Sequence, residues 1–126
     1  METIRIHINN QAVILLSAAQ LDSLIDSVLL RVYSEIWISG HGNTSLTVLV
    51  NADYAFFRYQ RYDGDGGLRS VNHNHARNQY EIFILPNAQQ DEYPANWLYN
   101  REIIRPVLQT YFEMGERYEG IDWDGE

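Results

Sequence analysis

Hydrophobic and polar residues alternate at the start of the chain. Ile4, Ile6 and Ile8 are separated by Arg5 and His7, and this period of two is typical of a strand with one buried face. The pattern predicts a first strand that places His7 on its exposed face.

A helical pattern follows. Ser17 and Gln20 stand at the spacing of a capping box, in which two residues satisfy the free N–H groups at the start of a helix. The apolar residues behind them recur at intervals of three and four, as on one face of a helix: Leu21, Leu24, Ile25, Val28 and Leu29. These features predict an amphipathic helix from about residue 18 to about residue 32.

The middle of the chain contains segments typical of strands. Residues 35–39, 45–50 and 54–60 are rich in β-branched and aromatic residues, with turn-forming residues between them. They predict a three-stranded antiparallel meander. Residues 68–71 and 79–85 are two more predicted strands. Residues 87–96 contain turn residues without a period, and they predict a loop.

A second helical pattern lies near the end of the chain. Its apolar residues are Ile103, Ile104, Val107, Leu108, Tyr111 and Phe112. Asn100 is a suitable N-cap, and Gly115 can adopt the left-handed conformation that ends a helix. Pro106 is too far from Asn100 for a first-turn proline and is expected to kink the helix, at a cost of about 3 kcal/mol.

The order of these elements predicts the fold class. One strand and one helix precede a run of about five strands, and a second helix ends the series. We predict a single α+β domain over residues 1–126, with an antiparallel sheet of about five to six strands and both helices packed on one face.

The charge distribution indicates the kind of partner. The net charge is −8, all nine basic residues are arginines, and there is no cysteine. Six acids lie in the last fourteen residues: Glu113, Glu116, Glu119, Asp122, Asp124 and Glu126. Such a field repels nucleic acid and attracts basic proteins. The acidic, alternating N-terminus and the lack of cysteine predict a cytoplasmic protein. The absence of a long uncharged apolar run predicts that it has no membrane span.

Motifs for catalysis or metal binding are weak. Asp63 and Asp65 resemble the start of a calcium loop, but Asn74 stands where a bidentate acid is required. We therefore predict a glycine-rich hairpin end at residues 63–67. A small metal-binding or hydrolytic enzyme that uses His41, His73 and His75 is an alternative, because a strand would place the last two on one face. No cofactor is predicted.

Arginine and tyrosine alternate in one segment of the chain. Arg58 and Arg61 with Tyr59 and Tyr62 have the composition of a site for single-stranded nucleic acid, and Arg69 and Arg77 follow. Strand alternation would place Arg58 on the face opposite Tyr59 and so divide this patch. We expect these arginines to pair with the chain's own acids.

The end of the chain carries a family resemblance. The sequence from Phe112 through Gly115 to Trp123 resembles the C-terminal end of a family of immunity proteins from bacterial polymorphic toxin systems, often encoded beside deaminase-type toxins. The resemblance implies a protein that binds and neutralises a cognate toxin, such as a nucleic-acid deaminase or nuclease. The negative charge of the chain indicates that the toxin has a basic surface, and the lack of a catalytic motif predicts that the chain is not an enzyme.

The acids and aromatic residues near the end of the chain are the candidate partner-binding residues. We expect contact through Glu116, Tyr118, Glu119, Asp122, Trp123 and Asp124, and through the loop acids Asp63 and Asp65. A buried aromatic residue can dominate the energy of an interface. We expect a monomer or weak dimer with no direct nucleic-acid or membrane partner. A regulatory adaptor domain is a further alternative.

Overall fold

A computed structural model describes residues 3–75 and 78–125. The strands are β1 (Ile4–Ile8), β2 (Gln11–Leu15), β3 (Ser34–Ser39), β4 (Ser45–Val50), β5 (Tyr54–Gln60), β6 (Leu68–Val71), β7 (Tyr80–Ile84), β8 (Gln90–Pro94), β9 (Tyr99–Asn100) and β10 (Asp122–Gly125). The helices are α1 (Ala18–Leu29) and α2 (Ile104–Met114), with short 3₁₀ turns at Ala95–Trp97 and Arg101–Ile103.

Neighbouring strands pair antiparallel throughout the described residues. The main sheet has eight strands there, in the order β10, β6, β5, β4, β3, β1, β2, with β9 beside β5. Strands β7 and β8 form a separate two-stranded hairpin. The predicted α+β class is confirmed, as are the meander β3–β4–β5 and the strands β6 and β7. The sheet is wider than the five to six strands expected.

Two of the additional strands have identifiable physical origins. Asn9 and Asn10 have φ of +49° and +73° and turn β1 tightly back into β2, since asparagine tolerates the left-handed conformation. The prediction of a loop at residues 87–96 was wrong, because residues 90–94 form β8 against β7. Only Tyr93 of β8 packs against buried apolar residues, and the other four residues are polar or proline, so no hydrophobic period marks this strand.

Helix α1 begins as predicted and ends earlier. The backbone N–H of Gln20 donates to Ser17 Oγ at 3.1 Å, and Gln20 Oε1 accepts from the Leu16 N–H at 2.7 Å, which confirms the cap. The helix ends at Leu29 rather than near residue 32. The next residues turn tightly, with the N–H of Leu30 and of Arg31 bonded to carbonyls three residues back, and Leu30 is 89% exposed.

Helix α2 accommodates its proline because it begins later than the pattern indicated. Asn100 Oδ1 accepts from the Glu102 N–H at 2.9 Å, as predicted, but it opens the 3₁₀ turn rather than the α-helix. Pro106 is therefore the third residue of α2, where N–H groups have no acceptor within an α-helix. Its missing N–H therefore costs α2 no internal hydrogen bond, so the expected cost of about 3 kcal/mol for a proline in the helix interior does not apply.

Both helices cover one face of the main sheet, as predicted. Ile6, Ile36, Val48 and Phe57 of the sheet join buried residues of α1 and α2 in the main core. Arg105 of α2 forms ion pairs with two acids of α1, Asp22 and Asp26. Burial of this apolar surface, at about 25 cal/mol per Å², holds the layers together.

The opposite face of the sheet is covered only in part. Leu49 and Phe56 pack with Phe83 of the β7–β8 hairpin and with Leu98 to form a second core. Part of the uncovered face forms a groove of about 730 Å³ that includes Arg5 and Trp37. Trp37 is 46% exposed there.

Candidate partner-binding site

The C-terminal end of α2 is fixed by contacts from distant parts of the chain. Gly115 ends the helix with φ of +69°, as predicted, and its N–H donates to the Tyr111 carbonyl at 2.8 Å. Its own carbonyl accepts a 2.8 Å bond from the buried Tyr59 hydroxyl. Nε2 of His41 lies 2.9 Å from the Phe112 carbonyl oxygen. These bonds set the direction in which the chain leaves the helix.

The segment after Gly115 presents exposed acids beside aromatic rings. We call Glu116, Arg117, Tyr118, Glu119 and Trp123 the C-terminal surface; they line a groove of about 580 Å³ together with two residues of the sheet and its loop. Glu116 and Glu119 are exposed. Neither forms an ion pair with any residue in ranges 3–75 and 78–125. Their negative charge is therefore directed to solvent.

Trp123 connects this surface to the main core. Its Nε1 donates to the Tyr118 carbonyl at 3.0 Å, and its ring centroid lies 6.5 Å from that of Phe57. The side chain is half-buried. Because the ring is already held in one orientation, a partner that touches its open edge would lose little entropy in ordering it.

The acids of β10 face away from Trp123. Side chains alternate along a strand, so Asp122 and Asp124 project to the opposite face of the sheet. There Asp124 forms an ion pair with Arg69 at 3.2 Å, and Asp122 lies 4.0 Å from His73. The residues that the sequence grouped at the end of the chain thus form two surfaces rather than one.

A tyrosine hydroxyl joins β10 to its neighbour β6. The Asp122 N–H donates to the Tyr99 hydroxyl oxygen at 3.0 Å, and this hydroxyl donates in turn to the Val71 carbonyl. Burial raises the pKa of Tyr99. The hydroxyl therefore keeps the proton that this bridge requires.

The two candidate acids of the β5–β6 loop have different environments. Asp65 is buried, and its carboxylate accepts from Arg61 Nε at 2.8 Å and from Arg61 Nη2 at 3.0 Å. Hydrogen bonds from Arg61 hold the pKa of Asp65 well below its usual range. Asp63 is exposed and lines the groove that contains Trp37. Neither acid lines the groove of the C-terminal surface.

Asp65 should make the stability of the fold depend on acid pH. Because its folded-state pKa is lowered, its contribution is present above the unfolded-state value of about 3.9 and is lost as the pH falls from there towards the folded-state value. We expect Asp65→Asn to lower the unfolding temperature by several degrees at pH 7, with a smaller difference at pH 3. Thermal unfolding followed by circular dichroism checks this. Asp63→Asn is the control, and an equal effect from it would contradict the assignment.

The histidines proposed for the alternative enzyme have separate environments. His41 contacts the end of α2, and Nδ1 of His75 lies 2.8 Å from the Ala95 carbonyl oxygen. His73 and His75 line one groove, without His41. Within the described ranges, no three histidine or carboxylate groups are placed to hold a metal.

The arginine and tyrosine segment is divided as alternation predicted. Tyr59 belongs to the main core, whereas Arg58 is exposed on the other face. The expected pairing with the chain's own acids is confirmed for Arg61 with Asp65 and for Arg69 with Asp124. Arg77, like Glu126 of the acidic tail, lies outside the described residues.

Comparison with known protein families identifies the class of this chain as that of the immunity proteins. The family described as immunity protein Imm1 matches residues 9–124, which is most of the chain. The chain therefore belongs to the Imm1 family. No curated protein shows a significant match. Neither α-helix among the described residues is long and apolar enough to cross a membrane.

Proposed function

We propose that this chain neutralises a cognate bacterial toxin in the cytoplasm by binding to a basic surface of the toxin. The observation that carries the proposal is the pair of exposed acids, Glu116 and Glu119, beside Tyr118 and Trp123 in a member of an immunity protein family. A nucleic-acid deaminase or nuclease fits as the toxin, because an enzyme that grips nucleic acid has a cationic cleft.

The acids and the rings serve different steps of binding. Glu116 and Glu119 raise the rate of association with a positively charged surface, since they carry no counter-ion among the described residues. The exposed parts of Tyr118 and Trp123 bury apolar area in the complex and slow its dissociation. Neutralisation in this way requires the toxin cleft to be covered and needs no reaction on the immunity protein.

Within this proposal, the contact is centred on Glu116, Tyr118, Glu119 and Trp123. The support for this choice is that the four residues line one groove. Asp122 and Asp124 lie on the opposite face of β10, so they reach a toxin only if it wraps around this edge of the sheet. Asp63 lines the separate groove that contains Trp37, and Asp65 contributes little because Arg61 already neutralises it.

Charge reversal on the C-terminal surface tests the proposal. We expect Glu116→Arg with Glu119→Arg to slow association with the toxin encoded beside this chain by about tenfold to a hundredfold at low salt. Surface plasmon resonance would measure the two rates, and growth of cells that co-express the toxin would report protection. The dissociation rate should change less than the association rate.

A matched control separates this effect from a general loss of negative charge. Asp53→Arg with Glu102→Arg changes the net charge equally near the other end of α2, where both residues are exposed. This variant should keep most of the association rate. Equal slowing in both variants, or no complex between the parent chain and the toxin at micromolar concentration, would contradict the proposed surface.

A further inference from the structure

Arginine side chains converge on a groove that neither the fold nor the toxin surface explains. The groove has a volume of about 620 Å³ and is lined by Arg58, Arg61 and Arg69 together with Asp65 and Asp124. Arg58 of β5 and Arg69 of β6 are directly opposite each other. Their side chains therefore share one face of the sheet, with Cβ atoms roughly 5 Å apart, and like charges in such a pair repel.

The charges of this groove do not balance. Arg61 pairs with Asp65 and Arg69 pairs with Asp124. Arg58 forms no ion pair with any residue in ranges 3–75 and 78–125. Nη1 of Arg69 is buried and has no hydrogen-bond partner within the same ranges. Among the described residues, one positive charge thus remains uncompensated, in a chain whose net charge is −8. The unsatisfied Nη1 donor of Arg69 is buried and is not itself open to a ligand.

The two opposed arginines are held in position by their surroundings. The guanidinium carbon of Arg69 lies 4.1 Å from the centroid of the Trp97 ring, and that of Arg58 lies 5.8 Å from the centroid of Phe56. The loop also passes close to Arg58, since a Cβ on Gly67 would lie 2.8 Å from Arg58 Cγ. Stacking leaves the edge of the exposed Arg58 guanidinium available for hydrogen bonds, and the half-buried Arg69 side chain lines the same groove.

We propose that this groove binds a small ligand through a single phosphate group. A phosphate ester presents several terminal oxygens and can accept bonds from two guanidinium groups at once, whereas a carboxylate is matched by one. Placed between Arg58 and Arg69, it would supply the missing counter-ion and remove their repulsion. The negative charge of the whole chain opposes a long polyanion, so the ligand is small rather than a nucleic acid.

A titration with inorganic phosphate tests the site without the toxin. At constant ionic strength and neutral pH, we expect the ¹⁵N–¹H Nε signals of Arg58 and Arg69 to shift in a saturable manner. Arg58→Gln should raise the apparent Kd by about tenfold or more. Arg58 is exposed, so this variant should unfold at nearly the same temperature as the parent.

Two comparisons make the result decisive. Arg5→Gln removes another exposed arginine of the same sheet face, outside the groove, and should leave the Kd unchanged. Acetate at the same ionic strength should shift the signals much less than phosphate. No saturable shift, an equal shift with acetate, or a Kd that Arg58→Gln does not change would each overturn the proposal. Toxin binding by Arg58→Gln should be retained, which keeps this test separate from the proposed function.

Discussion

Tyr111→Ala is expected to lower the free energy of unfolding by about 4 kcal/mol, because it removes a large ring from the main core and leaves a cavity. Tyr111 has no exposed surface. Its ring meets His41 edge-on at 5.3 Å between centroids, and its hydroxyl donates to the Thr44 carbonyl at 3.0 Å. Since a domain of this size is stable by roughly 5–15 kcal/mol, the variant should be close to unfolding at 37 °C.

Two further variants separate the contribution of the buried ring to stability from that of the hydroxyl group and from the effect of removing any tyrosine ring. Tyr111→Phe keeps the ring and removes the bonds of the hydroxyl, so it should cost only about 1–2 kcal/mol. Tyr80→Ala removes the same kind of ring from a side chain that is 60% exposed, and it should change stability by less than about 0.5 kcal/mol. Urea denaturation gives all three values. A loss below about 1.5 kcal/mol for Tyr111→Ala would contradict the packing described around this ring.

The sequence predicted correctly those elements whose evidence lies within a few neighbouring residues. The alternation of Ile4, Ile6 and Ile8 reports burial on one face of β1, and the caps at Ser17 and Gly115 depend on residues within one helical turn. Such signals need no knowledge of the rest of the fold. They were sufficient for the α+β class and for the face of the sheet that the helices cover.

Pairing between segments could not be predicted in the same way. Strand β8 has polar side chains and forms because β7 supplies its backbone hydrogen bonds. The position of Pro106 depends on a 3₁₀ turn that delays the start of α2 by three residues. Both features depend on backbone hydrogen bonds and turns, and the spacing of apolar side chains along the sequence gives no information about these.

The sequence predicted which residues belong to the candidate site, but it did not predict how they are divided between the two faces of the sheet. Ile121, Asp122, Trp123 and Asp124 alternate between apolar and acidic residues, which is a visible sign of a strand that divides its side chains between two faces. The hydrogen bonds that hold the site in place have no comparable pattern in the sequence. Tyr59 bonds to Gly115 across 56 positions of sequence, and His41 bonds to Phe112 across 71.

Gly115→Ala, at the C-terminal end of α2, should lower both the stability of the fold and the affinity for the toxin. A Cβ at this position would lie 2.4 Å from His41 Cβ, and φ of +69° is strained for alanine. We expect the free energy of unfolding to fall by about 3 kcal/mol, from the strain and the overlap together. Because Gly115 directs residues 116–119, the affinity for the toxin should also fall, by about tenfold.

A glycine with the same backbone conformation and free space around it is the matched control. Gly64 has φ of +84°, and a Cβ added to it would have no neighbouring atom within 4 Å, so Gly64→Ala should cost only about 1 kcal/mol and leave toxin binding unchanged. Combining Gly115→Ala with His41→Gly should recover part of the lost stability, because the overlapping Cβ and ring of His41 are then both gone. If Gly64→Ala and Gly115→Ala cost the same, backbone strain alone explains the effect, and the contact with His41 does not position the C-terminal surface.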